Sequence, residues 1–129
     1  MTQGQPSRRA ACACGALVAD CAGEPTRVSV CHCRECQRRT GSAFGVACFF
    51  PVEAVTLSGP SHSYTRGSDS GHALTFHFCP TCGGTVWWVP ERTPGRIAVA
   101  LGAFADPDFP APDKEVYEEH RHAWVAVAV

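Results

Sequence analysis

Lysine is almost absent from this chain: Lys114 is the only one among 11 basic residues, and 12 acidic residues bring the net charge to -1. The basic excess that drives binding to a phosphate backbone is missing, so nucleic acid is not an expected partner. Nor does any apolar run approach the roughly 18–20 residues that a membrane-spanning helix needs, and no membrane partner is expected. No internal repeat of about 20 residues or more is present. With 129 residues there is room for one domain and little for two. A single domain over residues 1–129 is expected, with its core at about 9–126; a homo-oligomer is compatible with it. One stretch imitates a targeting signal: Arg8 and Arg9 precede the small and apolar Ala10–Ala19, and Cys21 stands where a lipidated cysteine would. Cys12, Cys14 and Gly15 interrupt that run and Asp20 abuts Cys21, so the cytoplasm is the expected compartment.

Turn residues punctuate short apolar runs at close intervals, the pattern of a mainly β chain. Strands are expected at Thr26–Val30, Phe44–Phe50, Ala54–Leu57, His62–Thr65, His72–Phe78, Thr85–Val89, Arg96–Leu101 and Trp124–Val129. Phe44, Val46, Cys48 and Phe50 share one face at period two, as do Leu74, Phe76 and Phe78. Arg96–Leu101 is apolar on both faces, hence central. Trp87 and Trp88 are adjacent and must face opposite ways. The only helix-like piece is Arg34–Thr40, stopped by Gly41, and the acidic, proline-rich Asp106–Asp113 reads as a loop.

Cysteine is what the chain has in excess. There are nine, an odd number, and seven fall in three tight clusters: Cys12-Ala13-Cys14, Cys31-His32-Cys33-Arg34-Glu35-Cys36, and Cys79-Pro80-Thr81-Cys82 followed by two glycines. The last has the form of a zinc knuckle, in which backbone amides of a tight turn point at the sulfurs. Tetrahedral zinc wants sulfurs about 3.8 Å apart, which a bent hairpin at Cys12 and Cys14 supplies. Those two thiolates with Cys79 and Cys82 complete a closed four-cysteine site. The middle cluster can present Cys31, Cys33 and Cys36 to one metal from a loop entering a helix, whose N-terminus helps hold thiolates. Three ligands without a fourth cysteine form an open site, able to bind an incoming thiolate or polarise a carbonyl. Arg34, Arg38 and Arg39 are placed to offset its charge or receive substrate carboxylates; their plainer reading is the solvated face of a short helix.

Other readings compete. Disulfides among the seven cysteines are disfavoured by these short spacings. A second structural zinc would need a fourth ligand from Cys21, His62, His72 or His77. Cys48 reads as a small core residue and Cys21 as an inert thiol. His32, between two ligands, points away from their metal, and His77 is a hydrogen-bonded spacer.

The stretches Ala11–Ala16, Cys31–Phe44 and Phe76–Gly83 together resemble the glutathione-dependent formaldehyde-activating enzyme family, which also takes in a centromere-associated protein. The resemblance runs from about Arg9 to Trp124. It implies an Mss4-like β-sandwich built around a four-cysteine zinc site, with one short helix near the second cluster. It further implies two zinc ions per chain: a structural one on Cys12, Cys14, Cys79 and Cys82, and a catalytic one on Cys31, Cys33 and Cys36. The implied reaction joins formaldehyde and glutathione into S-hydroxymethylglutathione. The chain departs from the namesake enzymes in being shorter, with only residues 37–78 between the second and third clusters.

Two function classes follow. One is a zinc-dependent carbon–sulfur lyase acting on a thiol–carbonyl adduct, its partners a small thiol such as glutathione and an aldehyde. The other is a zinc-stabilised binding module without turnover, to which a basic tail would point; this chain has none. A methionine sulfoxide reductase would need a reactive cysteine late in the chain, and none follows Cys82.

Overall fold

A computed structural model describes residues 7–68 and 70–129. Over these residues the fold is mainly β, with one α-helix and two sheets. The smaller sheet has the order β1–β2–β5, from β1 (Ser7–Ala11), β2 (Val18–Ala22) and β5 (Val55–Ser58). The larger uses β3 (Arg27–Cys31), β4 (Gly45–Pro51), β6 (His62–Gly67), β7 (Ala73–Phe78), β8 (Thr85–Pro90), β9 (Arg96–Ala100) and β10 (Lys114–Val116). Its order is β10–β3–β4–β9–β8–β7–β6, antiparallel except for β10, which runs parallel to β3. The helix α1 spans Arg34–Thr40, as its sequence pattern predicts. Gly41 ends it in the left-handed region (φ 68°), where glycine carries no Cβ penalty.

Period-two alternation gives the larger sheet two different faces. One face packs on the smaller sheet: Val28, Cys48, Phe50, Ile97 and Val99 meet Ala10, Leu17, Ala19 and Cys21. Phe104 and Phe109 cover this core with rings 4.5 Å apart. Phe50 is fully buried, worth about 1.5–3 kcal/mol for such a side chain. Register shifts between His77 and Phe78, and both Val86 and Trp87 join the core side. Trp88 packs on the opposite face with Phe76 and Ala98, so the two tryptophans do divide between the faces. β9 lies between β4 and β8 with Ile97, Ala98 and Val99 buried, as its doubly apolar pattern requires.

Ala10–Ala19, which lies outside the expected strands, supplies parts of β1 and β2, with Ala10 paired to Ala19 in the core. Two expectations need correction. Trp124–Val129 forms no strand, and Trp124 is 77% exposed. The edge of the larger sheet beside β3 is taken by β10. Phe44, finally, precedes β4 rather than opening it. Among the described residues no helix is long and apolar enough to cross a membrane.

Candidate metal centres and the adjoining cavity

The four-cysteine cluster is made by two facing turns. Between β1 and β2, Gly15 adopts φ 82° and donates its amide to the Cys12 carbonyl at 3.0 Å. Between β7 and β8, the amide of Gly83 returns to the Cys79 carbonyl at 2.8 Å. The turns meet closely: a Cβ on Gly84 would stand 3.4 Å from that of Cys12. Backbone amides point at the sulfurs, from Leu17 to Cys12 at 3.2 Å and from Thr81 to Cys79 at 3.3 Å. Amides of Gly84 and Cys14 push the Cys82 thiol down to about 6. The Sγ atoms of Cys12 and Cys14 are 3.7 Å apart and those of Cys14 and Cys79 3.6 Å. Those separations exclude a disulfide and sit near the roughly 3.8 Å edge of a zinc tetrahedron. All nine cysteines are free thiols.

Cys31, Cys33 and Cys36 form the second cluster, their sulfurs within 4.8 Å of one another. Cys31 closes β3, Cys33 caps α1 and accepts the Cys36 amide at 3.3 Å, and Cys36 sits in the first turn. Hydrogen bonds from the Cys31 and Cys36 thiols hold Cys33 down, while the one shared with Cys33 pushes Cys31 up. Three crowded thiols of which one readily ionises suit a soft divalent metal. No fourth residue joins them among the described residues: Cys21, His62, His72 and His77 all lie outside the group. His72 instead approaches Glu91, and His77 stacks on Trp87 at 3.7 Å while sharing a hydrogen bond with Ser61. Cys21 and Cys48 are buried in the core, and burial pushes both thiols up to about 12.

The second cluster opens into a cavity of about 730 Å³ on the outer face of the larger sheet. Its floor follows from strand register. Ser29 and Cys31 of β3, Ala47 and Phe49 of β4, Trp88 of β8 and Leu74 of β7 all point to this side. Small residues at the middle of the sheet hollow it, and Tyr64 and Arg66 of β6 form the far wall. Of the three arginines expected at the site, Arg34 and Arg38 line the cavity, Arg38 in an exposed pair with Glu35 at 3.0 Å. Arg39 goes elsewhere. Its guanidinium lies over the rings of Trp88 and Phe76, at 4.4 and 5.4 Å, beside Cys36. Gly45 makes this room, since a Cβ there would come within 2.8 Å of Arg39 Nη2.

Arg66 and Arg92 complete the basic lining, and sequence reasoning missed both. Arg66 sits over the other approach to Phe76, at 5.2 Å, with its charge felt at Cys33. Glu115 was missed too. His32 is fully buried, turned away from the cluster as expected, and its Nε2 meets the Glu115 carboxylate at 2.6 Å. Arg121 approaches the same oxygen at 3.4 Å. Gln37 of α1 donates to the carbonyls of His32 and His120, and meets His122 through its own oxygen. The segment 114–122 thus straps the loop that carries the second cluster.

The sequence profile of one family, described as glutathione-dependent formaldehyde-activating enzyme, matches residues 7–120. The fold is similar to that of a Rhodobacter sphaeroides protein solved by crystallography as a structural-genomics target. The TM-score is 0.58 at 20% identity, covering 74% of this chain and 85% of that one. No curated protein matches the chain in sequence.

Proposed function

The chain belongs to the glutathione-dependent formaldehyde-activating enzyme family, and from that premise we propose that it is a zinc-dependent enzyme of the carbon–sulfur lyase type. It joins a small thiol, glutathione in the family's name, to the carbonyl of an aldehyde, or parts the adduct. The observation that carries this reading is a three-cysteine cluster opening into an arginine-lined cavity. Cys12, Cys14, Cys79 and Cys82 would hold a structural zinc, and Cys31, Cys33 and Cys36 a second one, in one domain over residues 1–129. Free thiols throughout fit a reducing compartment such as the cytoplasm.

A zinc ion held by Cys31, Cys33 and Cys36 would supply a positive centre that keeps an added thiol ionised. The remaining work belongs to the chain. Three cysteine thiolates outweigh a divalent ion by one charge, so a fourth anionic ligand is repelled unless cations stand near. Arg39 beside Cys36 and Arg66 toward Cys33 offset that charge. Arg34, Arg38 and Arg92 at the rim receive carboxylates in forked hydrogen bonds. The cavity then holds sulfur and carbonyl carbon together, which is most of what the addition needs. A C–S bond forms, the C=O π pair moves to oxygen, and that oxygen takes a proton to replace the one lost by the thiol.

Native mass spectrometry under reducing conditions should find two zinc ions, and glutathione should bind with a Kd of about 1 mM or tighter in calorimetry. A metal-free chain with disulfides would overturn the reading. Glutathione binding without aldehyde turnover would leave a binding module in its place.

A further inference from the structure

The floor beside the cysteine trio offers something that formaldehyde cannot use. Ala47, Phe49, Leu74 and Trp88 form a contiguous apolar surface, and the charges of Arg34, Arg38, Arg66 and Arg92 stand around it. A thiol carrying carboxylates is drawn to that basic surround, where its charges are paired and stay near water. The floor is then left to the carbonyl partner. Formaldehyde has no substituent on its carbon, so it would leave Phe49 and Leu74 facing water. A hydrocarbon group in their place removes both surfaces from solvent. Ala47 and Ala98 are small, on neighbouring strands, and Ala98 lies buried between Phe49 and Trp88, so the hollow is built into the register. Its volume of about 730 Å³ lies in the range that encloses a drug-sized ligand.

We infer that the carbonyl substrate at this site is an aldehyde bearing a bulky apolar group, so that the adduct is an S-(1-hydroxyalkyl) or S-(hydroxybenzyl) conjugate of a carboxylate-bearing thiol. This rests on the reading of the trio as the thiol-binding centre. The chemistry is redox-neutral: the sulfur–carbon bond forms as the carbonyl π pair moves to oxygen, and one proton is exchanged through solvent from the thiol to the new hydroxyl. No oxidant or further reactant is required.

S-alkylglutathiones are stable stand-ins for the adduct, and calorimetry reports their binding to the zinc-loaded chain. Each fully buried carbon is worth about threefold, so the five extra carbons, even if only partly buried, should make S-hexylglutathione at least about tenfold tighter than S-methylglutathione. Ala47→Leu, which fills the hollow, should cut that advantage to less than threefold. The wild-type series stands alone should the variant fold poorly. Equal affinities for the two ligands, or weaker binding of the hexyl form, overturn the inference, as does binding of neither. Glutathione binding and formaldehyde turnover, measured on the same sample, separate the two levels. If both persist, only the bulky-aldehyde assignment falls; if both are absent, the thiol-binding reading falls with it.

Discussion

Where β4 begins, a hydrogen replaces a side chain at Gly45, and the Arg39 guanidinium lies across the strand in that gap. Burial pushes this guanidinium down from its usual range and the charge of Cys36 pulls it back up. Arginine stays protonated through such shifts, so a fixed positive charge faces the cysteine trio from a position that solvent scarcely screens. Arg39→Gln removes that charge and should weaken glutathione binding about tenfold, the usual weight of one charge-assisted contact. Gly45→Ala keeps the charge but moves it, because the new Cβ meets Arg39 Nη2 at 2.8 Å. The displaced atom is the end of a flexible side chain, so the loss should be smaller, about threefold. Calorimetric titrations at equal zinc content compare the two. Wild-type affinity in Arg39→Gln would remove this residue from the site.

At the scale of elements, the strap formed by β10 and residues 117–122 is the feature with most to lose. Glu115 is 7% exposed at its side chain and serves the fully buried His32. Glu115→Ala strands that ring without a partner and should cost about 2–3 kcal/mol. In a thermal melt this is a fall of about 10 °C. Removing residues 123–129 should cost far less, under about 1 kcal/mol, because no strand forms there and Trp124 is largely exposed. A large loss from that truncation would mean the C-terminal segment pairs after all. The same elements mark what could be read from the sequence. α1 was legible because a cysteine cap, a short polar run and Gly41 leave little choice. β4 and β7 were legible from alternation, and β9 from being apolar on both faces. β1 and β2 were not, because alanine and cysteine fill inward positions that valine or isoleucine usually hold. β10 is three residues, Lys-Glu-Val, whose strand character comes only from lying parallel to β3. Both cysteine clusters were legible from local spacing. Arg66 and Glu115 were not, since register and chain crossing bring them to the site from other strands.

For the molecule as a whole, the two cysteine clusters differ in what they join. Cys12 and Cys14 lie in the turn of the smaller sheet, and Cys79 and Cys82 between two strands of the larger. A metal on these four clamps sheet to sheet and closes a loop spanning most of the chain, so its binding energy becomes folding energy. Cys31, Cys33 and Cys36 span a single β-strand end and the first turn of α1. A metal there constrains a few residues that the strap already holds through His32 and Gln37. Cys82→Ala should therefore unfold the protein or leave it without cooperative melting, and should release the structural zinc. Cys36→Ala should stay folded, with a melting temperature within about 5 °C of wild type, while zinc falls from two ions toward one and thiol binding is lost. Circular dichroism melts with zinc counts on both variants decide it. If Cys36→Ala unfolds as completely as Cys82→Ala, both clusters are structural, and the arginine-lined cavity then opens onto a fold-holding metal rather than a reactive one.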